Sequence, residues 1–365
     1  MKAHLPDYPL IFIISFLVVF GLIILSSASA VLSHDSFGES YYFFKRQLIF
    51  GLPLGIICFL VCQRVDYRKW QKLAFPLLIF SLILLISVFI PGIGYSHAGA
   101  RRWINLGIGS LQPFEFVKIT FILYLAALLS KKGEKKEIIK QSLIPVAITA
   151  GIIMLLVFLQ PNMSALGFIV LLAGFLYFLA GLSPFHLIGL GLAVLVGLWG
   201  LVKLAPYQTN RLTVFLHPEI DPQGIGYQIN QALLAIGSGG LFGLGLGHSV
   251  QKWKYLPEAM GDSIFAIVAE ELGLIGAGFL VILFVILAWR GLRIAKNAPD
   301  KFGFLLAGGI TGWIFFQAFI NMAAISGIMP LTGMPLPFIS YGSSALVSSL
   351  IGMGILVNIS KYTKL

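Results

Sequence analysis

The chain has 365 residues, 58% of them hydrophobic and only 11% charged, and its mean hydropathy is +0.94. An ordinary soluble domain carries about 25% charged residues, so a water-soluble core is excluded and the bilayer is the expected solvent. The formal net charge is +11; its placement along the chain follows membrane topology and gives no reason to invoke nucleic acid.

The first apolar run, Pro9 to Leu25, is followed by "SSASA" with a cleavage-like Ala28-Ser29-Ala30 triplet. The segment ahead of it carries only Lys2 and the run is long, so it reads as a retained membrane helix rather than a signal peptide. Stretches long enough to cross a bilayer, roughly 20 residues, fall near 9–32, 46–62, 73–91, 113–129, 142–160, 163–181, 185–204, 262–289, 302–325 and 344–360. The pattern predicts an all-α integral membrane protein of ten transmembrane helices, a single membrane domain over 1–365, with a large loop at 205–261 between spans 7 and 8. Cys58 and Cys62, four apart in the second span, read as small buried hydrophobes on one helix face. They supply neither a disulfide framework nor zinc spacing.

Ten spans put both termini on one side. That side, with loops 63–72, 130–141, 182–184 and 290–301, holds 16 bases and 5 acids, while the opposite side holds 9 of each. The positive-inside rule makes the basic side cytoplasmic, so the expected location is the cytoplasmic membrane with both termini inside. The outer side carries the long loops 92–112 and 205–261 and a Gly/Pro-rich one at 326–343. Loops beyond about 15 residues in compact proteins are functional or disordered; these are rich in Gly, Pro and aromatics, which predicts order. Within them "YQINQALLAI", 227–236, has amphipathic spacing that suits either an interfacial helix or a packed loop helix.

The polar groups gather at a few places. In "GARRWINLGIGSLQPFEFVK", 99–118, Arg101 and Arg102 precede the interfacial aromatic Trp103, and Pro113 suits a first helical turn. Glu115 and Lys118 are three apart and share a face of span 4. An ionisable group at mid-membrane costs roughly 2.5–3.5 kcal/mol, so the pair either cancels charge structurally or faces a polar substrate. "GSGGLFGLGLG", 237–247, matches no nucleotide-binding spacing. It suits close backbone packing, or amides approaching a phosphate. Lys252 and Lys254 follow it and could meet a diphosphate or form a solvated face. In "LPEAMGDSIFAIVAEELGLIG", 256–276, Glu258 and Asp262 flank a turn before span 8. Asp262 suits the helix cap or first turn, where the dipole favours an anion. Glu270 and Glu271 lie two to three turns deeper, about 12 Å along the axis. They read as a structural or gating pair, with partners expected among Arg101, Arg102, Lys118 and Arg211. The six histidines form no short metal motif, and no hydrolase or metalloprotease motif is present.

Five segments in this order, "GARRWINLG", "QPFEFVK", "GYQINQALLAIGSGGLFGLGLGHSVQKWKYLPEA", "DSIFAIVAEELG" and "MPLPFISYGSSA", make the chain resemble the FtsW/RodA/SpoVE family, the SEDS (shape, elongation, division, sporulation) peptidoglycan polymerases. The likeness runs essentially end to end, and "GHSVQKWKYLPEA" looks more like FtsW than RodA. The resemblance implies a ten-span helical SEDS fold and an inverting glycosyl transfer that polymerises lipid II and releases undecaprenyl diphosphate. It implies cell division, with elongation as the alternative role. It implies a class B penicillin-binding protein transpeptidase as partner, with other divisome or elongasome membrane proteins and membrane lipid.

The family's essential carboxylate matches Asp262, and its span 4 Glu and Lys match Glu115 and Lys118. A carboxylate at Asp262 could take the acceptor hydroxyl's proton as general base. Lys118, Arg101, Arg102 and Arg211 are candidates to stabilise the leaving diphosphate, with Lys252 beside them, Glu258 as a second carboxylate, and a divalent cation, Mg or Mn, as a candidate cofactor. The family usually reads "LPEAHTDFIFA", "QPSE" and "SYGGSS", where this chain has "LPEAMGDSIFA", "QPFE" and "SYGSSA". Met260, Gly261, Ser263 and Phe114 therefore put the fine geometry around the carboxylate in question. A lipid II flippase would also carry intramembrane charges, and a scaffold that merely holds a transpeptidase is a third alternative. Polar groups concentrated on the outer face favour chemistry there, and no inverted repeat suggests alternating access.

Overall fold

The computed structural model describes residues 4–97, 100–105, 107, 109–131, 135–182, 185, 189, 215, 224 and 226–363. The predicted seventh span, 185–204, and Arg211 lie outside the described residues. The others predicted as spans coincide with helices: α1 (Tyr8–Ala28), α3–α4 (Tyr42–Arg46 and Leu52–Arg64, joined through a π-helical turn at Gln47–Gly51), α5 (Tyr67–Ser87), α6 (Pro113–Leu129), α7 (Lys135–Phe158), α8 (Met163–Ala180), α10 (Ile264–Lys296), α11 (Lys301–Ile325) and α12 (Ser343–Ser360). A short α2 (Ala30–Phe37) and a loop helix α9 (Tyr227–Ser238) complete the set. Among the described residues eight helices, counting α3–α4 as one, are long and apolar enough to cross a membrane.

Caps rather than hydropathy set the ends. The Asp7 carboxylate accepts from Leu10 N–H (2.9 Å) to start α1, and the Asp300 carboxylate accepts from Gly303 N–H (2.7 Å) to start α11. Asp66 caps α5, so that helix begins at Tyr67, ahead of the apolar window at 73–91. Asp7 is also paired with Arg290 (2.7 Å), which ties the start of α1 to the far end of α10.

Helix α11 is the axis of the molecule. It packs against α6, α8, α10 and α12, and its core side chains include Trp313, Ile310 and Ile314. The loop 92–112, read from sequence only as an ordered loop, forms a three-stranded antiparallel sheet: β1 (Gly94–His97), β2 (Ala100–Asn105) and β3 (Ser110–Leu111), with a register shift between Tyr95 and Ser96. Helix α9 packs on α10 through Ala232 and Ala235, while Leu233 and Leu234 stay exposed.

Within α10 the helix breaks at Gly273, whose φ is 67°. The glycine-rich stretch splices into the break. Leu244 and Gly245 N–H donate to the carbonyls of Glu270 (2.9 Å) and Glu271 (3.0 Å), and Leu274 and Ile275 N–H donate to Gly240 (2.9 Å) and Leu241 (3.2 Å). A Cβ on Gly243 would meet the Glu271 carbonyl oxygen at 2.2 Å. Close backbone packing is thus what "GSGGLFGLGLG" does, and irregular backbone at this depth is satisfied by protein rather than lipid.

Candidate active site

Asp262 sits in a turn just ahead of α10 and is half-buried. The turn closes on itself: Gly261 and Ser263 N–H both donate to the Glu258 carbonyl (2.9 and 3.2 Å). Glu258 is exposed and takes a left-handed φ of 51°, a strained geometry of the sort that gathers at functional sites. The helix N-cap is Ser263, not Asp262, and Ser263 makes no capping bond; its hydroxyl accepts from the Gln228 amide of α9 (3.0 Å). Expecting Asp262 itself as the cap is therefore corrected: the self-closed turn leaves it one residue outside. Two departures from the family pattern have a local account here. Ser263 meets Gln228, and Gly261 leaves space that the Glu258 carboxylate fills, 3.0 Å from where a Cβ would stand.

Three successive carbonyls fix this turn. Met260 O accepts from Tyr341 N–H (2.9 Å), Gly261 O from the Ser340 hydroxyl (2.7 Å) and Asp262 O from the Asn321 amide (2.7 Å). The same Asn321 amide donates to Met334 O (2.7 Å), and Ser340 Oγ accepts from Leu336 N–H (2.8 Å). Burial pushes the Tyr341 phenol upward, with Arg46 opposing and Tyr42 reinforcing the shift, so it stays protonated near neutral pH.

One turn along α11 from Asn321, Gln317 connects this turn to the span 4 pair. Glu115 and Lys118 form a buried ion pair at 2.7 Å. The Lys118 ammonium also donates to Gln317 Oε1 (2.7 Å), which accepts from Trp313 Nε1 as well (2.9 Å), while Gln317 Nε2 donates to Pro335 O (2.8 Å). Phe114, Phe168 and Trp313 present their rings to the ammonium at 5.7, 5.9 and 5.3 Å, a cation–π enclosure. Ser348 donates to Glu115 Oε2 (3.3 Å). Lys118 is only 1% exposed and Glu115 2%, so in this structure the pair reaches Asp262 through α11 rather than facing outward. Phe114, at the family's serine position, forms one wall of the enclosure.

The remaining predicted cations divide. Arg101 is exposed on β2. Arg102 donates to the carbonyls of Gln160 (3.1 Å) and Pro161, just past the end of α7, where a cation meets the helix dipole favourably. Lys252 is buried, and its ammonium donates to Gly247 O (2.6 Å), Ser27 Oγ (2.9 Å) and Glu271 Oε1 (3.2 Å). Its three protons are all engaged inside the protein. Glu270 accepts from Ser249 Oγ (2.5 Å) and from the N–H groups of Val250 (2.9 Å) and Gln251 (3.3 Å). The partners expected for Glu270 and Glu271 are thus corrected. They come from the loop 249–252 and, for Glu271, also from Ser27 of α1, while Lys118 is committed to Glu115 and Arg102 to the carbonyls just past α7; Arg211 lies outside the described residues.

Over residues 8–365 the sequence matches the family model for the FtsW/RodA/SpoVE cell cycle proteins. The chain belongs to the FtsW/RodA/SpoVE family. It is 42% identical over 363 residues to the stage V sporulation protein E of Bacillus subtilis, covering 100% of this chain and 99% of that one. It is 42% identical over 359 residues to a probable peptidoglycan glycosyltransferase FtsW of Trichlorobacter lovleyi, covering 98% and 94%. Among solved structures it resembles a chain of a peptidoglycan synthase complex that coordinates polymerization and crosslinking, with TM-score 0.80, 29% identity and 97% of each chain covered. The rod shape determining protein RodA of Thermus thermophilus gives TM-score 0.72 at 28% identity, covering 99% of this chain and 98% of that one.

In this FtsW/RodA/SpoVE member, sequence reasoning passed over Gln317, Asn321, Ser340 and Ser348. A signal existed for two of them. Gln317 and Asn321 are amides four apart in an otherwise apolar span, and polar side chains inside a membrane helix mark an interior face. Among the described residues no three His, Cys, Asp or Glu converge to hold a metal ion. Mg²⁺ is usually held by one or two carboxylates together with substrate phosphates and waters, so Asp262 and Glu258 are the residues of this turn that would hold one.

Proposed function

We propose that this chain is a peptidoglycan glycosyltransferase that polymerises lipid II at the outer face of the cytoplasmic membrane during cell division, with Asp262 as general base. The observation that carries the reading is the family's turn carboxylate, half-buried ahead of α10 on a backbone docked at three carbonyls. The acceptor's sugar hydroxyl gives its proton to the Asp262 carboxylate as its oxygen attacks the donor's anomeric carbon. The bond from that carbon to the diphosphate breaks, and the lipid diphosphate leaves with the electron pair. Arg101 is exposed and is a candidate cation for that developing charge; Arg102 and Arg211 are the further candidates from the sequence. Glu258 is the second carboxylate at the turn. Glu115 and Lys118 act from within, bracing α11. Lys252 holds the loop that leads to the turn.

The excess of Lys and Arg on one side of the chain supports a cytoplasmic location for both termini. Likeness to a chain of a peptidoglycan synthase complex supports a class B penicillin-binding protein as the crosslinking partner. The deciding assay supplies lipid II to the purified protein, alone and with that partner. General-base removal costs about 10²–10⁴-fold, so Asp262→Ala is expected to lose at least about 10²-fold in glycan formation. Wild-type polymerisation by Asp262→Ala would reject the base assignment. Lipid translocation without polymer would reject the polymerase reading in favour of a transporter.

A further inference from the structure

We infer that Asn321 and Ser340 are positioning residues for the reaction, aiming the Asp262 carboxylate by holding the carbonyl edge of its turn. The inference rests on Asp262 being the base. Asp262 lies outside the helix, ahead of an N-cap that makes no capping bond, so helix geometry alone does not aim it. What fixes its backbone is the row of bonds from Tyr341 N–H, Ser340 Oγ and Asn321 Nδ2 to the carbonyls of residues 260, 261 and 262. Two of those three donors are side chains, and both are buried.

Asn321 is suited to this work. Its amide nitrogen bridges Asp262 O and Met334 O at 2.7 Å each, clamping the turn against the extended segment 334–335. Gln317, one turn earlier on the same face, holds Pro335 O and the Lys118 ammonium. The clamp is therefore anchored on a helix with a buried ion pair behind it. Ser340 plays the matching part from the other side, giving its proton to Gly261 O while accepting from Leu336 N–H. Asn321 Oδ1 is buried with no partner. An orphaned buried acceptor is unfavourable, so the nitrogen is what this side chain contributes. A leucine at this position removes the orphaned acceptor but cannot clamp, and it takes the amide donor away from the carbonyls of Asp262 and Met334.

The test measures kcat and KM for lipid II with Ser340→Ala, Ser340→Thr and Asn321→Leu, alongside thermal unfolding of each purified variant. Displacing a reacting group by about 1 Å can cost 10²-fold. Ser340→Ala and Asn321→Leu are expected to lower kcat by on the order of 10–10²-fold with KM unchanged. Ser340→Thr keeps the hydroxyl and is expected to keep most of the rate. Wild-type kcat in a folded Ser340→Ala would overturn the inference, as would a rise in KM with kcat intact, or equal losses in Ser340→Ala and Ser340→Thr. Ser340→Ala alone decides if Asn321→Leu does not fold. An active Asp262→Ala would instead remove the base reading, and so separates the two failures.

Discussion

The segment 256–276 holds its acids in two opposite ways. At Asp262 the structure grips the main chain, through three consecutive carbonyls. Eight and nine residues later it grips the side chains: Glu270 receives a hydroxyl and two N–H groups, and Glu271 receives Lys252, Ser27 and Ser249. A half-buried acid on a fixed backbone suits chemistry. A buried acid held by several donors is a staple, here fastening the loop 249–252 to α10 and, through Ser27, to α1. The difference predicts that damage to one region is read in rate and damage to the other in stability.

Lys252→Met gives the largest stability effect expected from that contrast. Removing one partner of a buried pair leaves the other charge uncompensated, which costs about 3–5 kcal/mol. Lys252 is 8% exposed and Glu271 is fully enclosed, so solvent recovers little of it. Thermal unfolding of the purified variant should show a large downward shift, while the surviving folded fraction keeps wild-type kcat. A normal melting temperature with lost activity would move Lys252 into the reaction and erase the distinction between the two regions.

How much of this the sequence carries depends on how local the geometry is. Apolar runs located the helices because each run is continuous. The Glu115–Lys118 pair was legible because a helix fixes what three residues of separation mean. The Lys252–Glu271 pair spans 19 residues and joins a loop to α10 just ahead of the break at Gly273. No periodicity encodes that. The grip on 260–262 was illegible for another reason: its acceptors are backbone carbonyls, which every residue has, so only the donors could have been suspected. The sheet at 94–111 was missed because its strands are short and interrupted by a register shift.

Gly273→Ala tests the splice that brings the staple together. At φ 67° a side chain is strained, and its Cβ would meet Gly243 N at 2.4 Å and Leu241 O at 2.5 Å, both backbone atoms that cannot swing away. Local strain of this kind costs about 1–3 kcal/mol, and the bonds between 240–245 and 270–275 would loosen with it. The expected readout is a lowered melting temperature together with faster amide exchange at Leu244 and Gly245. Unchanged exchange would mean that the break at Gly273 is not what holds the loop.

Lys254→Ala gives the smallest effect, and it isolates burial as the variable. Lys254 stands two residues from Lys252 and also makes an ion pair, with Asp35 at 2.7 Å, shorter than the 3.2 Å of the Lys252 pair. Distance alone would rank it the stronger. The Lys254 side chain is 64% exposed and that of Asp35 37%, so water and salt screen the attraction and long side chains lose entropy in making it. Exposed pairs contribute about 0–1 kcal/mol. Lys254→Ala should therefore barely move the melting temperature, and what shift there is should vanish at high salt, while the loss in Lys252→Met persists because ions do not enter its site. A salt-insensitive loss in Lys254→Ala comparable to that of Lys252→Met would show that geometry, not enclosure, decides which lysine of this loop is the staple.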